Sequence, residues 1–140
     1  MATVTLSDYL TLQDGSRRFD GTPNAIDLNF QLPDDFVMGT NLAKPVIQFK
    51  YRARQETDLQ LWINPDNAGQ NVQIDVTFDA SNVIRSHHEF LNGNLFVPGA
   101  ENRIRFILVD HSIFDDNNND IGISDVLLTF QRRVDRKSVV

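Results

Sequence analysis

The chain has 140 residues, of which 41% are hydrophobic and none is cysteine. This length fits a single domain with a substantial core, and the lack of cysteine excludes disulfides, thiolate nucleophiles and cysteine-ligated zinc. A formal net charge of -6 opposes broad adhesion to nucleic acid or anionic lipid, so we expect no nucleic-acid partner.

The first segment, residues 1–24, is predicted to be an N-terminal strand followed by a loop. Residues 3–12 have strand propensity, whereas residues 13–24 contain the turn formers Asp14-Gly15 and Gly21-Thr22-Pro23. The first ten residues lack the basic start and apolar core of a secretory signal, and no apolar run approaches the roughly 18 residues of a membrane span. We therefore expect a cytoplasmic protein without membrane insertion, unless it is exported by a leaderless route or its leader has been trimmed.

Alternating runs predict four strands across the middle of the chain. Residues 25–32 alternate apolar with polar side chains, and Pro33-Asp34-Asp35 ends this strand. Runs over 47–54, 59–64 and 72–78 alternate in the same way, so each is expected to bury one side and to present the other to solvent.

Two turn signals follow in the second half of the chain. Asn92-Gly93 predicts a two-residue type I′ hairpin, because both central positions of that turn need positive φ. Residues 98–102 reverse the chain again, and residues 104–108 then alternate as a half-buried strand.

The C-terminal region completes an all-β pattern. The chain is expected to re-enter the sheet at about Ile121, with Gly122 as a bulge, and the last strand covers 126–134. Arg132, Arg133, Arg136 and Lys137 form a basic cluster, which is interpreted as part of a solubilising tail, residues 135–140, and not as a nucleic-acid contact, because no groove-reading motif accompanies it. With no sustained helical periodicity, the whole pattern predicts a single antiparallel β-sandwich domain.

The outward residues of the three runs over 47–78 form the first candidate site, provided that these strands are neighbours. An exposed indole offers a flat apolar platform for the C–H face of a pyranose, while amide, carboxylate and guanidinium groups fix hydroxyl directions. The predicted ligand-binding residues are Arg52, Gln60, Trp62 and Asp75. The alternatives are a solvated face with Trp62 under a loop, or a cross-strand ion pair such as Arg52 with Asp75.

The segment 110–125 supplies many oxygen ligands of the kind that calcium prefers. Its alternating acidic and amide residues are like the start of an EF-hand loop, but Ile121 and Leu127 replace the required Gly and Glu. A looser calcium site would use as ligands Asp115, Asp116, Asn118, Asp120 and Asp125. The alternative is a flexible hydrophilic turn, since Asn and Asp tolerate turn geometry.

The histidines give little support for a transition-metal or catalytic centre. Consecutive His87 and His88 on a strand point to opposite faces, so they cannot both ligate one metal without distortion. A triad could be drawn from Ser86, His88 and Asp110, but no nucleophile elbow accompanies it. No catalytic residue is assigned, and the pattern favours a non-enzyme without deciding the question.

Residues 45–131 resemble the galactose-binding-like jelly rolls, which include carbohydrate-binding modules. The landmarks are residues 59–64, residues 95–106 with the pattern Pro-Gly-Ala-Glu-Asn-Arg-Ile-Arg-Phe, and residues 123–128. The chain departs from the family pattern at Pro65, where Gly is preferred, and at the inserted Ala100. The resemblance implies a jelly-roll sandwich that binds sugar at one rim, commonly with a structural calcium ion.

Two functions of different classes follow. The leading expectation is a non-catalytic, lectin-like carbohydrate-binding module that carries calcium if the acidic segment binds it. The alternative is a structural or assembly protein that contacts other chains, including copies of itself, through its sheet faces or edges.

Overall fold

A computed structural model describes residues 3–19, 25–38, 44–53, 57–65, 72–78, 83–109 and 121–135. These ranges contain eight strands and a single-turn 3₁₀ helix, Gly93–Leu95, between the sixth and seventh strands. The strands are β1 (Thr3–Arg18), β2 (Ala25–Gln31), β3 (Val46–Ala53), β4 (Thr57–Ile63), β5 (Val72–Phe78), β6 (Arg85–Phe90), β7 (Glu101–Val109) and β8 (Ile121–Asp135). The described residues include no helix long and apolar enough to span a membrane.

The strands form two antiparallel four-stranded sheets. Sheet A has the order β1-β8-β3-β6 and sheet B the order β2-β7-β4-β5. Only β4 and β5 are both consecutive in the chain and paired with each other, so most connections cross from one sheet to the other. This arrangement is that of an eight-stranded jelly roll, and it confirms the predicted all-β antiparallel sandwich.

Alternating apolar side chains from both sheets fill the space between them. In β7, for example, Ile104, Phe106 and Leu108 are buried, whereas Arg103 and Arg105 are only partly covered. Phe106 meets Phe49 of sheet A edge to face, with ring centroids 5.2 Å apart. Such aromatic contacts tie the sheets together across the core.

A short segment after β2 closes one end of the sandwich against β8. Phe36 forms a bridge with Arg132 and packs its buried ring against Phe96 and Phe130. The Arg132 guanidinium donates to both carboxylate oxygens of Asp35, at 2.7 and 3.1 Å. Arg132 is therefore a paired residue within β8, and its assignment to a solubilising tail was wrong.

The first strand extends beyond its predicted end. β1 continues past Leu12 to Arg18 because bulges between Thr11 and Ser16 absorb a shift in register with β8. Gly15 supplies the positive φ, 80°, that the irregular backbone requires there. The turn signal Asp14-Gly15 thus marks a bulge within a strand and not the start of a loop.

The predicted type I′ hairpin at Asn92-Gly93 is also wrong. Asn92 has φ -77° and caps the 3₁₀ turn, with its side chain accepting a hydrogen bond from the Asn94 amide at 3.1 Å. β6 and β7 belong to different sheets, so no hairpin joins them. Gly93 is needed for another reason, because a Cβ there would lie 1.6 Å from the carbonyl oxygen of Met38.

The chain re-enters the sheet at Ile121 as predicted, but this entry already belongs to the last strand, which was expected to begin at residue 126, and the bulge is not at Gly122. Gly122 pairs regularly with Arg18 and Arg52, whereas the register with β3 shifts between Gln48 and Lys50. On β8 the shift falls at Asp125, whose φ is 51°. Asp tolerates this left-handed conformation better than most residues.

Candidate functional site

The outer face of sheet B gathers polar side chains around the only tryptophan of the chain. Trp62 and Gln60 point outward from β4 because Leu59, Leu61 and Ile63 occupy the buried side. The Trp62 indole N–H donates to the Gln60 side-chain oxygen at 3.1 Å, which fixes the two side chains relative to each other. We call this surface the Trp62 face; its described members are Asp27, Asn29, Gln60, Trp62, Asp75, Arg103 and Arg105.

A bidentate ion pair lies beside the indole. Arg105 is in register with Trp62 on one side and with Asp27 on the other. Its Nε and Nη2 atoms donate to the two Asp27 oxygens at 2.6 and 3.1 Å. These hydrogen bonds hold the pKa of Asp27 below its ordinary value, against the opposing effect of burial, and they raise the pKa of Arg105. Both groups are therefore held charged and oriented.

A shallow depression of about 280 Å³ borders the Trp62 face where β4 and β7 meet. It is lined by Asn29, Asn64, Pro65, Glu101, Asn102 and Arg103. Asn64 follows Trp62 by two residues, so the depression and the indole are about 7 Å apart along the strand direction.

Two asparagines fix the rim of the depression. Asn64, with φ 46°, donates from Nδ2 to the Leu95 carbonyl and to Asn102 Oδ1, both at 2.8 Å. Asn102 is 1% exposed, accepts from the Val97 amide, and donates to the Val97 and Ala100 carbonyls. Asn64, immediately before Pro65, supplies the left-handed backbone conformation at this point.

The structure brings together three of the four predicted ligand-binding residues. Gln60 is opposite Asp75 in the β4–β5 register, and Trp62 lies on the same face. Arg52 is in β3, which belongs to sheet A, so it lies on the opposite side of the sandwich. The condition that all three strands are neighbours is therefore met only by β4 and β5, because the chain changes sheet between β3 and β4. The suggested ion pair between Arg52 and Asp75 is excluded by the same separation.

Four residues of the Trp62 face were missing from the sequence prediction. Arg103 and Arg105 come from β7, and Asp27 and Asn29 come from β2. The alternation in residues 25–32 and 103–108 already indicated that these positions face outward. The alternation does not show that β7 lies between β2 and β4 and pairs with both.

Only one of the five predicted calcium ligands lies within the described residues. Asp125 Oδ1 accepts from the Gly15 amide at 3.1 Å, and its Oδ2 is 3.6 Å from Lys50 Nζ. These contacts stabilise the β8 bulge, which lies four residues beyond Ile121. Asp115, Asp116, Asn118 and Asp120 lie outside the described residues, so calcium binding stays a prediction. Across the described ranges, no three acidic or histidine side chains are grouped as a metal site.

The two adjacent histidines point to opposite sides of β6, as alternation requires. His87 turns inward, where its ring contacts Phe49 and Phe78 and its Nε2 lies 3.1 Å from Glu89 Oε1. His88 is exposed on the outer face of sheet A. That face also carries two strongly exposed aromatic side chains, Tyr9 at 62% and Phe90 at 70%.

No protein-family model and no curated protein sequence matches the chain. Solved structures, in contrast, do match the chain. A protein of the T13 IBDV viral particle aligns with 91% of this chain and 31% of its own, at 10% identity and a TM-score of 0.54. The chain thus spans about a third of that neighbour.

Structural neighbours also include carbohydrate-binding modules. TmCBM61, solved in complex with β-1,4-galactotriose, aligns over 92% of this chain and 70% of its own, at 14% identity and a TM-score of 0.44. The C-terminal CBM6 of LamC from Zobellia galactanivorans aligns over 89% of this chain and 99% of its own, at 6% identity and a TM-score of 0.45. At such identities a structural likeness concerns the fold, and function has to be argued from the residues of the site.

Proposed function

We propose that this protein is a non-catalytic carbohydrate-binding β-sandwich that holds a glycan on the Trp62 face. The observation that carries the proposal is the position of Trp62, on the outer face of an inner strand of sheet B and beside a polar depression. Guanidinium, amide and carboxylate groups surround the indole, and this combination suits a ligand with one apolar face and many hydroxyls.

The contacts within the face support this role. Because Gln60 holds the indole N–H, the ring is oriented before a ligand arrives. Asp27 engages Nε and Nη2 of Arg105, which leaves Nη1 outside that ion pair as a donor for a hydroxyl oxygen. Such preorganisation reduces the side-chain entropy that is lost on binding.

The charge of the surface favours a neutral glycan. Asp27, Asp75 and Glu101 outnumber Arg103 and Arg105 on and beside the Trp62 face. The whole chain is acidic as well, with a net charge of -6. A polyanionic glycan would therefore be repelled, whereas a neutral hexose or pentose polymer would not.

Trp62 fluorescence tests the proposal directly, because the chain has no other tryptophan. Titration with a panel of neutral oligosaccharides should change the emission in a saturable manner for at least one of them. In affinity electrophoresis, Trp62→Ala should weaken binding at least tenfold. Phe90→Ala, an exposed aromatic substitution on sheet A, should leave it unchanged.

Two results would reject this function. One is a panel in which no oligosaccharide alters the emission or retards migration. The other is retention of Trp62→Ala by the gel to the same extent as the wild-type chain, provided that circular dichroism shows both to be folded.

A further inference from the structure

The outer edge of β1 is a long strand edge on the margin of sheet A. β1 has 16 residues, compared with 7, 7 and 6 in β2, β5 and β6, which are the other edge strands. Within the described residues, no strand pairs with β1 on the side away from β8. An unpaired edge of this length is a template for another strand.

Hydrogen bonds determine which β1 groups point to this edge. The Leu91 amide donates to the Pro45 carbonyl, so the peptide groups of Val46 are directed toward β8 and bond its partner Thr129. The Val37 amide likewise donates to the Gln131 carbonyl, on the same side of β8. In this part of β8 the main-chain N–H and C=O groups of odd-numbered residues therefore point away from β1. Those of even-numbered residues point toward β1 and bond to it.

The register between β1 and β8 then determines which main-chain groups of β1 face outward. Tyr9 is opposite Thr129 and Ser7 is opposite Gln131, so the N–H and C=O groups of odd-numbered β1 residues face outward. The Tyr9 N–H is consistent with this orientation, because it donates to the Asp8 carboxylate at 2.7 Å. The regular part of the edge ends at Thr11, where the first bulge begins.

Side chains along this stretch suit antiparallel self-pairing. On the outer face of the sheet, Thr3, Thr5, Ser7, Tyr9 and Thr11 are uncharged. Asp8 is the one charged residue between Thr3 and Thr11, and its carboxylate receives Arg132 Nη1 at 3.2 Å. The edge therefore carries little of the chain's net negative charge, which on other parts of the surface would repel a second copy. β6, by contrast, turns His87 and Glu89 inward, a feature that discourages edge pairing.

We propose that two copies of this chain pair through β1, antiparallel, about a two-fold axis at Ser7. Ser7 is the midpoint of the regular stretch Thr3–Thr11, so this register uses all of it. It places Thr5 opposite the partner's Tyr9, Val4 opposite the partner's Leu10 and Leu6 opposite the partner's Asp8. Each of five outward residues meets another outward residue, which gives about ten main-chain hydrogen bonds. The sheets A of both copies become one eight-stranded sheet.

Pairing also changes two local environments. Leu6, 40% exposed, becomes covered by the partner strand. The Tyr9 amide exchanges the Asp8 carboxylate for the carbonyl of the partner's Thr5, and Asp8 keeps its contact with Arg132. In the single copy, Asp8 thus satisfies an edge donor that the dimer would use. The proposed glycan site is on the other sheet, so this inference does not depend on it.

Sedimentation of the full chain over a wide concentration range tests the proposal. The wild type should show a reversible monomer–dimer equilibrium. Ser7→Pro removes an N–H that faces outward and spares the bonds to β8, so it should raise the dimer dissociation constant at least tenfold. Ser7→Ala keeps the N–H and should stay within about twofold of the wild type. A wild type that remains monomeric at millimolar concentration, or a Ser7→Pro dimer as tight as the wild type, would overturn the proposal.

Amide hydrogen exchange provides a test that needs no variant. At high protein concentration the amides of Thr5 and Ser7 should exchange at least tenfold more slowly than at low concentration. The amide of Leu10 bonds to β8 in both states and should not change by more than about twofold. Equal protection of Thr5 and Ser7 at all concentrations would contradict pairing through this edge.

Discussion

At the scale of single residues, two asparagine side chains, Asn64 and the buried Asn102, provide hydrogen bonds where the regular strand pairing ends. Asn64 accepts from the Arg103 amide and donates to Asn102, while Asn102 satisfies three main-chain groups of the loop before β7. The sequence identified this loop as a turn but gave Asn102 no role. Its side-chain partners include Asn64, just after the end of β4, as well as groups of the loop, and no local sequence pattern contains this distant contact.

Replacing Asn102 with alanine should destabilise the fold by about 2–4 kcal/mol, because several buried polar groups lose their partners. Urea unfolding followed by circular dichroism measures the loss. Asn94→Ala, at an exposed position two residues after the 3₁₀ cap Asn92, should cost less than about 0.5 kcal/mol. Similar losses for the two variants would mean that the Asn102 amide contributes little.

Two glycines are needed for different reasons, Gly93 for lack of space and Gly15 for its positive φ. Gly93→Ala should cost about 3 kcal/mol or more, since its Cβ would overlap the Met38 carbonyl and the backbone would have to move. Gly15→Ala meets open space but keeps a φ of 80°, so it should cost only about 1–2 kcal/mol. Thermal melts rank the two variants. A smaller effect at Gly93 than at Gly15 would show that the close approach is easily relieved.

At the scale of elements, alternation predicted β2, β3, β4 and β5 because one side of each strand faces the core. It failed where a strand is irregular. The bulges of β1 resemble a loop in sequence, and Asn92-Gly93 has the composition of a hairpin turn that its backbone does not adopt. Both errors concern turn-forming residues that long-range pairing places in other conformations.

The β8 bulge should depend on the residue at position 125. Asp125→Asn keeps a side-chain oxygen for the Gly15 amide and tolerates positive φ, so it should be nearly neutral. Asp125→Val should cost about 1–3 kcal/mol, because a β-branched residue is strained there and the hydrogen bond is lost. Chemical unfolding of both variants checks this order, and equal stabilities would contradict it.

The ion pair between β2 and β7 predicts a pH dependence. Because the folded pKa of Asp27 is lowered, its charge stabilises the fold above about pH 4, the ordinary carboxyl value. This contribution is lost as the pH falls through the lowered folded pKa. Asp27→Asn should therefore lose less stability than the wild type during acidification below about pH 4.

Acid titration of the free energy of unfolding measures the difference. Asn29→Ala, on the same face of β2 but without a titrating group, should retain the wild-type slope. Parallel curves for Asp27→Asn and the wild type would show that the pair does not couple to folding.

At the scale of the whole molecule, the sequence predicted the sandwich but not which strand joins which sheet. Alternation tells whether a side chain faces the core, and it does so equally for strands of either sheet. Arg52 and Trp62 were grouped because consecutive strands often pair. Here they occupy opposite surfaces, while β7 and β2 bring Arg105 and Asp27 beside Trp62.

The shared core predicts that both sheets unfold together. Trp62 emission reports on sheet B alone, whereas far-ultraviolet circular dichroism reports on all strands. In urea the two signals should give coincident transitions, because contacts such as Phe49 with Phe106 join the sheets. Separate midpoints would indicate that one sheet survives the loss of the other.

The position of β8 has a consequence for synthesis on the ribosome. β8 lies between β1 and β3, yet it is the last described strand to be translated. At a typical elongation rate β1 waits on the order of 10 s for the strand that will pair with it. During that time both of its edges are open and the centre of sheet A is missing, so the nascent chain exposes apolar strand surface. Chaperones that recognise extended apolar segments should therefore engage β1 and β3 until residues 121–135 have emerged.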